Sequence, residues 1–171
     1  DPHWDQILQA GATKVSKEFD EIESFEVRCR LKPGLIPSPF ALVVNNTDYA
    51  RLIKTDCSHY EMLHQLEEKF VKWSPSTFVG YNSINFDEEF LRNSFFKTLL
   101  DPYLTSRNKN NRGDLLELLR TVEFFYPNII NVPLNKKNKK TFKLDQIAPA
   151  NSISHLAHDA FGDVMATKQL A

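Results

Sequence analysis

Long apolar runs are missing from this sequence: none of its 171 residues sits in a stretch reaching the roughly 18 uninterrupted apolar positions of a membrane-crossing helix. The polar start, with Asp1, His3 and Asp5, does not read as a signal peptide. Cysteine is scarce too. Cys29 and Cys57 have no metal-binding or redox spacing and read as reduced thiols of an intracellular, cytoplasmic protein. Charge of one sign is lacking overall: the net charge of −1 excludes a uniformly basic coat for nucleic acid, and 42% hydrophobic residues beside 25% charged ones exclude a disordered chain. There is no internal repeat and no Gly/Ser linker, and the nine prolines are scattered among turns. Methionine occurs only at 62 and 165 and the first residue is Asp, so the sequence reads as continuing upstream. What is plentiful is phenylalanine, with thirteen residues. They supply much of a core that this length can bury within a single domain.

Periodicity predicts the elements. Gln6–Val15 and Phe25–Leu31 alternate as strands do and flank a polar Lys17–Glu23 turn, which predicts an antiparallel hairpin. Lys32–Phe40 is a proline-bound loop. Tyr60–Trp73 sets Leu63, Leu66, Phe70 and Trp73 at helical spacing. Thr77–Gly80 is a short apolar run expected to be a buried strand. Further helices are predicted over Asp87–Leu100, stopped by Asp101–Pro102, over Asp114–Phe124, and over Ala160–Ala171 with Asp159 as N-cap. Strands first, then strand and helices in alternation, predict an α/β domain with a mixed sheet flanked by helices.

Two local runs break the neutral average. Arg107–Arg112 carries three cations and no acid, and Lys136–Lys143 carries five cations and no acid. Both contain Asn and read as exposed loops, with a solvated surface and a phosphate-tracking role about equally supported. Two segments could carry chemistry. His158 and Asp163 stand five residues apart, about 500° around a helix, so they converge only if His158 precedes the helix that holds Asp163. That geometry suits water activation beside a metal. In the second segment, residues 80–90, Asp87 opens a helix after a strand. It therefore lies at the carboxyl edge of a sheet, where open α/β sheets bind ligands. Its ordinary role would be an N-cap or a first-turn acid that favours the helix dipole.

Together these segments resemble the second and third motifs of the DEDD superfamily of 3′→5′ exonucleases, in its histidine branch. Within that branch they are similar to the exonuclease I family. The resemblance runs through Gly80-Tyr81-Asn82, Phe86-Asp87-Glu88, Arg92-Asn93, Asp101-Pro102-Tyr103, Arg112, Asp114-Leu115-Leu116, Arg120, Phe142-Lys143-Leu144, His158-Asp159-Ala160 and Asp163-Val164. It keeps order and spacing over residues 78–170, and Asp5–Gln9 fits the family's second strand.

The resemblance implies a ribonuclease H-like exonuclease domain with a DNA repair role, in which two Mg²⁺ ions, replaceable by Mn²⁺, clamp the scissile phosphate of single-stranded DNA. Asp163 would be a direct metal ligand, Asp87 would hold the second metal, and His158 would be the general base. Arg92, Tyr103, Arg120 and Lys143 would contact the strand, as cations meeting phosphates and a ring stacking on a base. Lys143 stands where the family usually has Arg, making a point charge of a bidentate contact. For the arginines the alternative is a cation favouring a helix C-terminus.

The family's first motif, an Asp-x-Glu on a central strand, would fall before Asp1. The expectation is thus a single exonuclease domain over residues 1–171, truncated at both ends. Its sheet would lack the first strand beside Gln6–Val15 and leave an edge open to self-association. Two alternatives stay open: an exonuclease for RNA or short oligonucleotides, distinguished by contacts to the 2′-OH, and a degenerate module that binds nucleic acid without cutting.

Overall fold

The structure is a computed structural model, and it describes residues 1–44, 47–154 and 160–171. The chain opens on a hairpin of β1 (Gln9–Val15) and β2 (Glu21–Arg28), antiparallel, with a register shift between Lys14 and Val15. Three helices follow, α1 (Pro39–Val44), α2 (Tyr49–Lys54) and α3 (His59–Trp73). Then come β3 (Thr77–Gly80), α4 (Asp87–Lys97), a short 3-10 helix (Leu104–Ser106) and β4 (Asn111–Asp114). The chain closes with α5 (Leu115–Phe125), α6 (Leu144–Ala150) and α7 (Ala160–Leu170). No helix among the described residues is long and apolar enough to cross a membrane.

Helix α3 is the spine of the main core. Ser58 and Glu61 cap each other reciprocally, side chain to backbone amide, satisfying two of the amide groups that a helix start leaves open. Met62, Leu63, Leu66, Phe70 and Trp73 are buried along one face, packed with Val27, Cys29, Phe95 and Leu104. Glu23 of β2 locks the hairpin to this helix, accepting hydrogen bonds from Lys69 Nζ at 2.7 Å and Trp73 Nε1 at 2.8 Å. A second, smaller core gathers Leu115 and Leu119 of α5, Ile147 of α6 and Leu170 of α7 around Tyr81 and Phe142. It is this second core that bears on the candidate site.

The strands form two separate ladders, β1 with β2 and, in parallel, β3 with β4 from Thr77↔Asn111 to Gly80↔Asp114. No described strand pairs with the free side of β1. The same split corrects an expectation. Thr77–Gly80 is a strand but not a buried one: Val79 is 53% exposed, because no described strand flanks β3 on its other side. The run Arg107–Arg112 is also only partly a loop, since Asn111 and Arg112 begin β4 and Asn110 is buried. The Asn110 amide bonds Ser74 Oγ, the Leu104 carbonyl and the Ser76 amide, all at 2.8–2.9 Å. The loop predicted over Lys32–Phe40 gives way to α1 at Pro39.

Candidate functional site

The site begins where β3 ends. A Cβ at Gly80 would lie 2.5 Å from the Cβ of Ser83, so the tight turn there admits only hydrogen. The next residues are held from the adjacent strand. Asp114, last residue of β4, accepts hydrogen bonds from the amides of Asn82 (2.8 Å) and Ile84 (3.1 Å), one on each carboxylate oxygen. It also caps α5 through the Leu116 amide at 3.1 Å. One carboxylate therefore ties the loop after β3 to the start of α5, and Asn82 accepts a left-handed backbone (φ 58°) within that loop.

The loop delivers Asp87 to the first turn of α4. Asp87 is not the N-cap: that position belongs to Phe86, which makes no side-chain cap hydrogen bond. Arg112 Nη1 (3.4 Å) and Thr105 Oγ1 (2.7 Å) both donate to Glu88, which fastens α4 to β4 and the 3-10 helix. Asp163 arrives from another direction, in the first turn of α7. That helix lies close against β1. A Cβ at Gly11 would stand 3.3 Å from the Phe161 nitrogen, and at the far end Leu170 enters the second core.

These placements bring Asp87 and Asp163 within electrostatic reach of each other, at a site also shared by Glu88 and Asp114. Asp87 keeps a solvent-exposed side. Even so, desolvation by the surrounding protein pushes its carboxyl up from 3.8 to about 6; the negative charges of Glu88, Asp114 and Asp163 add to the rise, and its own amide opposes it. A raised carboxylate among like charges suits a site that takes a cation or a proton. The donors are hard oxygens, which suits a divalent cation such as magnesium. Among the described residues, however, no cluster of three or more His, Cys, Asp or Glu side chains is positioned to hold a metal. The acid pair is therefore a partial donor set. His158 and Asp159 lie outside the described residues.

This raised carboxyl is testable without activity. Below about pH 4 Asp87 is neutral folded or unfolded; above about 6 it is charged in both, and the fold disfavours the charge. The penalty therefore grows between those limits as pH rises. Asp87→Asn, which cannot ionise, should melt at increasingly higher temperature than the native chain over that range in EDTA, with the gap constant above it. A gap that does not change with pH would show that Asp87 titrates normally.

The four residues expected to touch a strand divide into groups. Arg120 lies in the middle of α5 and Arg92 in the middle of α4, not at helix ends, and each bonds a glutamate three residues earlier, Glu117 (2.7 Å) and Glu89. The Arg120 guanidinium also lies 6.0 Å from the Phe142 ring centroid. Tyr81, whose hydroxyl is raised to about 12 chiefly by burial, donates to the Phe142 carbonyl at 2.5 Å. This places Arg120 and the exposed Lys143 on one ridge beside Tyr81, which also feels the charge of Asp114. Tyr103 is 46% exposed and stacks under Arg107, 5.1 Å away. Among the described residues no hydrogen bond, ion pair or ring contact joins Tyr103 or Arg92 to the Arg120 ridge. Sequence reasoning missed Asp114 as the clamp of the loop. Its signal was present, an acid preceding a strong helix, but its reach back to residues 82 and 84 comes from the parallel pairing.

No protein-family model matches the chain. Exodeoxyribonuclease I of Buchnera aphidicola (subsp. Schizaphis graminum) is 33% identical over 171 residues, covering 98% of this chain and 35% of its own length. That of Escherichia coli is 32% identical over 174 residues, covering 99% and 36%. The chain thus spans about a third of the length of the curated relatives it matches. The crystal structure of E. coli exonuclease I with a dT13 oligonucleotide superposes with a TM-score of 0.93 at 29% identity, over 99% of this chain and 37% of that one. Its complex with a dA16 oligonucleotide gives 0.91. The chain is a homologue of exodeoxyribonuclease I over nearly its whole length and has that enzyme's ribonuclease H-like α/β fold.

Proposed function

We propose that this chain is the nuclease domain of a metal-dependent, cytoplasmic 3′→5′ exonuclease that hydrolyses single-stranded DNA. The observation that carries this reading is the convergence of Asp87 and Asp163, from separate elements, on one acidic edge of a fold shared with exonuclease I. Asp87 and Asp163 would hold Mg²⁺, which when bound supplies charge neutralisation at the phosphate and a more acidic water. The chain's own residues divide the rest of the work. His158 takes the proton of the attacking water. Arg120, Lys143 and Arg92 hold phosphates, and the ring of Tyr103 stacks on a base without regard to its identity.

The test is a degradation assay of the full chain on 5′-labelled single-stranded DNA with Mg²⁺. Stepwise shortening from the 3′ end is the expected result when an Asp-x-Glu strand is supplied ahead of Asp1, because Asp87 and Asp163 alone are a partial donor set. Shortening of RNA but not DNA would favour the oligoribonucleotide alternative. Retention of the strand without any cleavage would replace the enzyme reading with that of a binding module.

A further inference from the structure

We propose that the lysine hairpin at residues 134–140 is a second phosphate-contact station, over which a single nucleic-acid strand runs on from Lys143. This rests on the nucleic-acid reading above and names a part of the path that the acid site does not require.

The hairpin is pinned in place. Leu134 and Lys140 form an isolated antiparallel bridge. The side-chain oxygen of Asn135 accepts from the Lys137 amide at 2.8 Å and the Lys139 amide at 3.2 Å, and the Asn135 amide donates to the Lys139 carbonyl at 2.8 Å. Asn138 takes the left-handed conformation the turn requires (φ 56°). Lys140 pairs with Glu123 on α5, and the Thr141 amide bonds the Pro133 carbonyl at 2.9 Å. With the backbone so fixed, the remaining lysines are presented as positioned charges.

Those charges are not neutralised. Among the described residues Lys136, Lys137 and Lys139 pair with no carboxylate, in contrast to Lys140. Lys136 and Lys137 line an open hollow of about 560 Å³ together with Lys143, Asn135, Thr141 and Gln146, and no acid faces it. Three ammonium groups around one hollow repel each other unless an anion lies between them, and amide and hydroxyl donors complete a phosphate-binding set. Lys143 belongs both to this hollow and to the Tyr81–Phe142 ridge, so the hollow continues the path from the acid edge. The α5 end that anchors Lys140 also carries Phe124 and Phe125, 79% and 66% exposed. Bare rings beside free cations are the equipment of a single-strand groove. An acidic peptide would use the cations but leave the rings without a role.

The experiment is salt-dependent binding in EDTA, so that cleavage does not intervene. It compares the full chain with its Lys136→Ala/Lys137→Ala variant on oligothymidylates of about 3 and about 15 nucleotides, bracketing usual single-strand site sizes. Among the described residues neither side chain makes a hydrogen bond or an ion pair, so the variant should fold as the native chain does. Losing two phosphate contacts should flatten the slope of log K against log salt by about 1.4 for the long strand, a loss of roughly 25-fold at 0.1 M salt from counterion release alone. The short strand should bind as before, and so should both strands in a Lys17→Ala/Lys54→Ala control. An unchanged slope on the long strand overturns the proposal, and so does an equal loss on both lengths. So does polyglutamate binding that falls in the variant while DNA binding holds. If the native chain binds neither oligonucleotide, the functional reading fails with it.

Discussion

Asp163→Ala should slow removal of 3′-terminal nucleotides by at least about a hundredfold, beyond the loss usual for groups that only orient a metal ligand. The argument is positional. Asp163 sits in the first turn of α7, a helix held at one end by its close approach to Gly11 and at the other by Leu170 in the second core. Neither anchor involves the Asp163 carboxylate, so α7 should stay docked when it is removed, and the melting temperature of the variant, measured alongside, separates a loss of fold from a loss of chemistry. The variant also carries an internal control. Asp163 is one of the charges that raise Asp87, so its loss should bring the Asp87 carboxyl down toward its ordinary value. Asp163→Asn should have the same effect on both properties. Single-turnover rates on labelled DNA, with the titration of Asp87 followed by NMR, measure both. A variant retaining a tenth or more of the native rate would remove Asp163 from the chemistry.

The elements legible in the sequence were those whose own side chains settle them. Helix α3 declares itself by apolar spacing and a Ser58–Glu61 capping pair, and appears within one residue of the predicted start. The hairpin and α5 carry equally local signals. What stayed hidden depends on partners distant in the chain. Strand β4 is Asn-Arg-Gly-Asp, with no apolar alternation, and is a strand only because β3 lies parallel beside it. Helices α1, α2 and α6 are six or seven residues long, too short to show a period, and α6 contains Pro149. For the site, the residue types of Asp87 and Asp163 could be read directly, but the raised carboxyl could not, since it arises chiefly from desolvation by the folded chain, with the charges of Glu88, Asp114 and Asp163 adding to it. Helix α4 is also where local reasoning left two roles open. Of the two ordinary roles open to Asp87, the cap position goes to Phe86, and the acid takes the first turn, where it meets its neighbours in the site.

Asp114→Ala should have a large effect on stability for a substitution outside the core. Its carboxylate serves three backbone amides, those of Asn82, Ile84 and Leu116. Loss of an N-cap costs about 1 kcal/mol, and a hydrogen bond to a charged group is worth about 1.5–3 kcal/mol. Because the Asn82 amide is exposed and water can replace part of the loss, the sum should come to about 3 kcal/mol, or roughly 6–12 °C in melting temperature for a domain of this size. Asp114→Asn keeps one acceptor oxygen and should recover about half, since one side-chain oxygen cannot serve both loop amides as two do. Thermal and urea unfolding of the two variants distinguish a clamp from a simple cap: a loss of only about 1 kcal/mol in Asp114→Ala, fully restored in Asp114→Asn, would mean that the loop amides contribute nothing. The consequence for activity follows from the covalent path. Residues 80–86 run from β3 directly into α4, so slackening their hold lets the first turn of α4 shift while Asp163, fixed through β1, does not move with it. Asp114→Ala should therefore weaken catalysis well below the temperature at which it unfolds, whereas a core substitution of equal cost, such as Leu66→Ala in α3, should leave catalysis intact until melting begins.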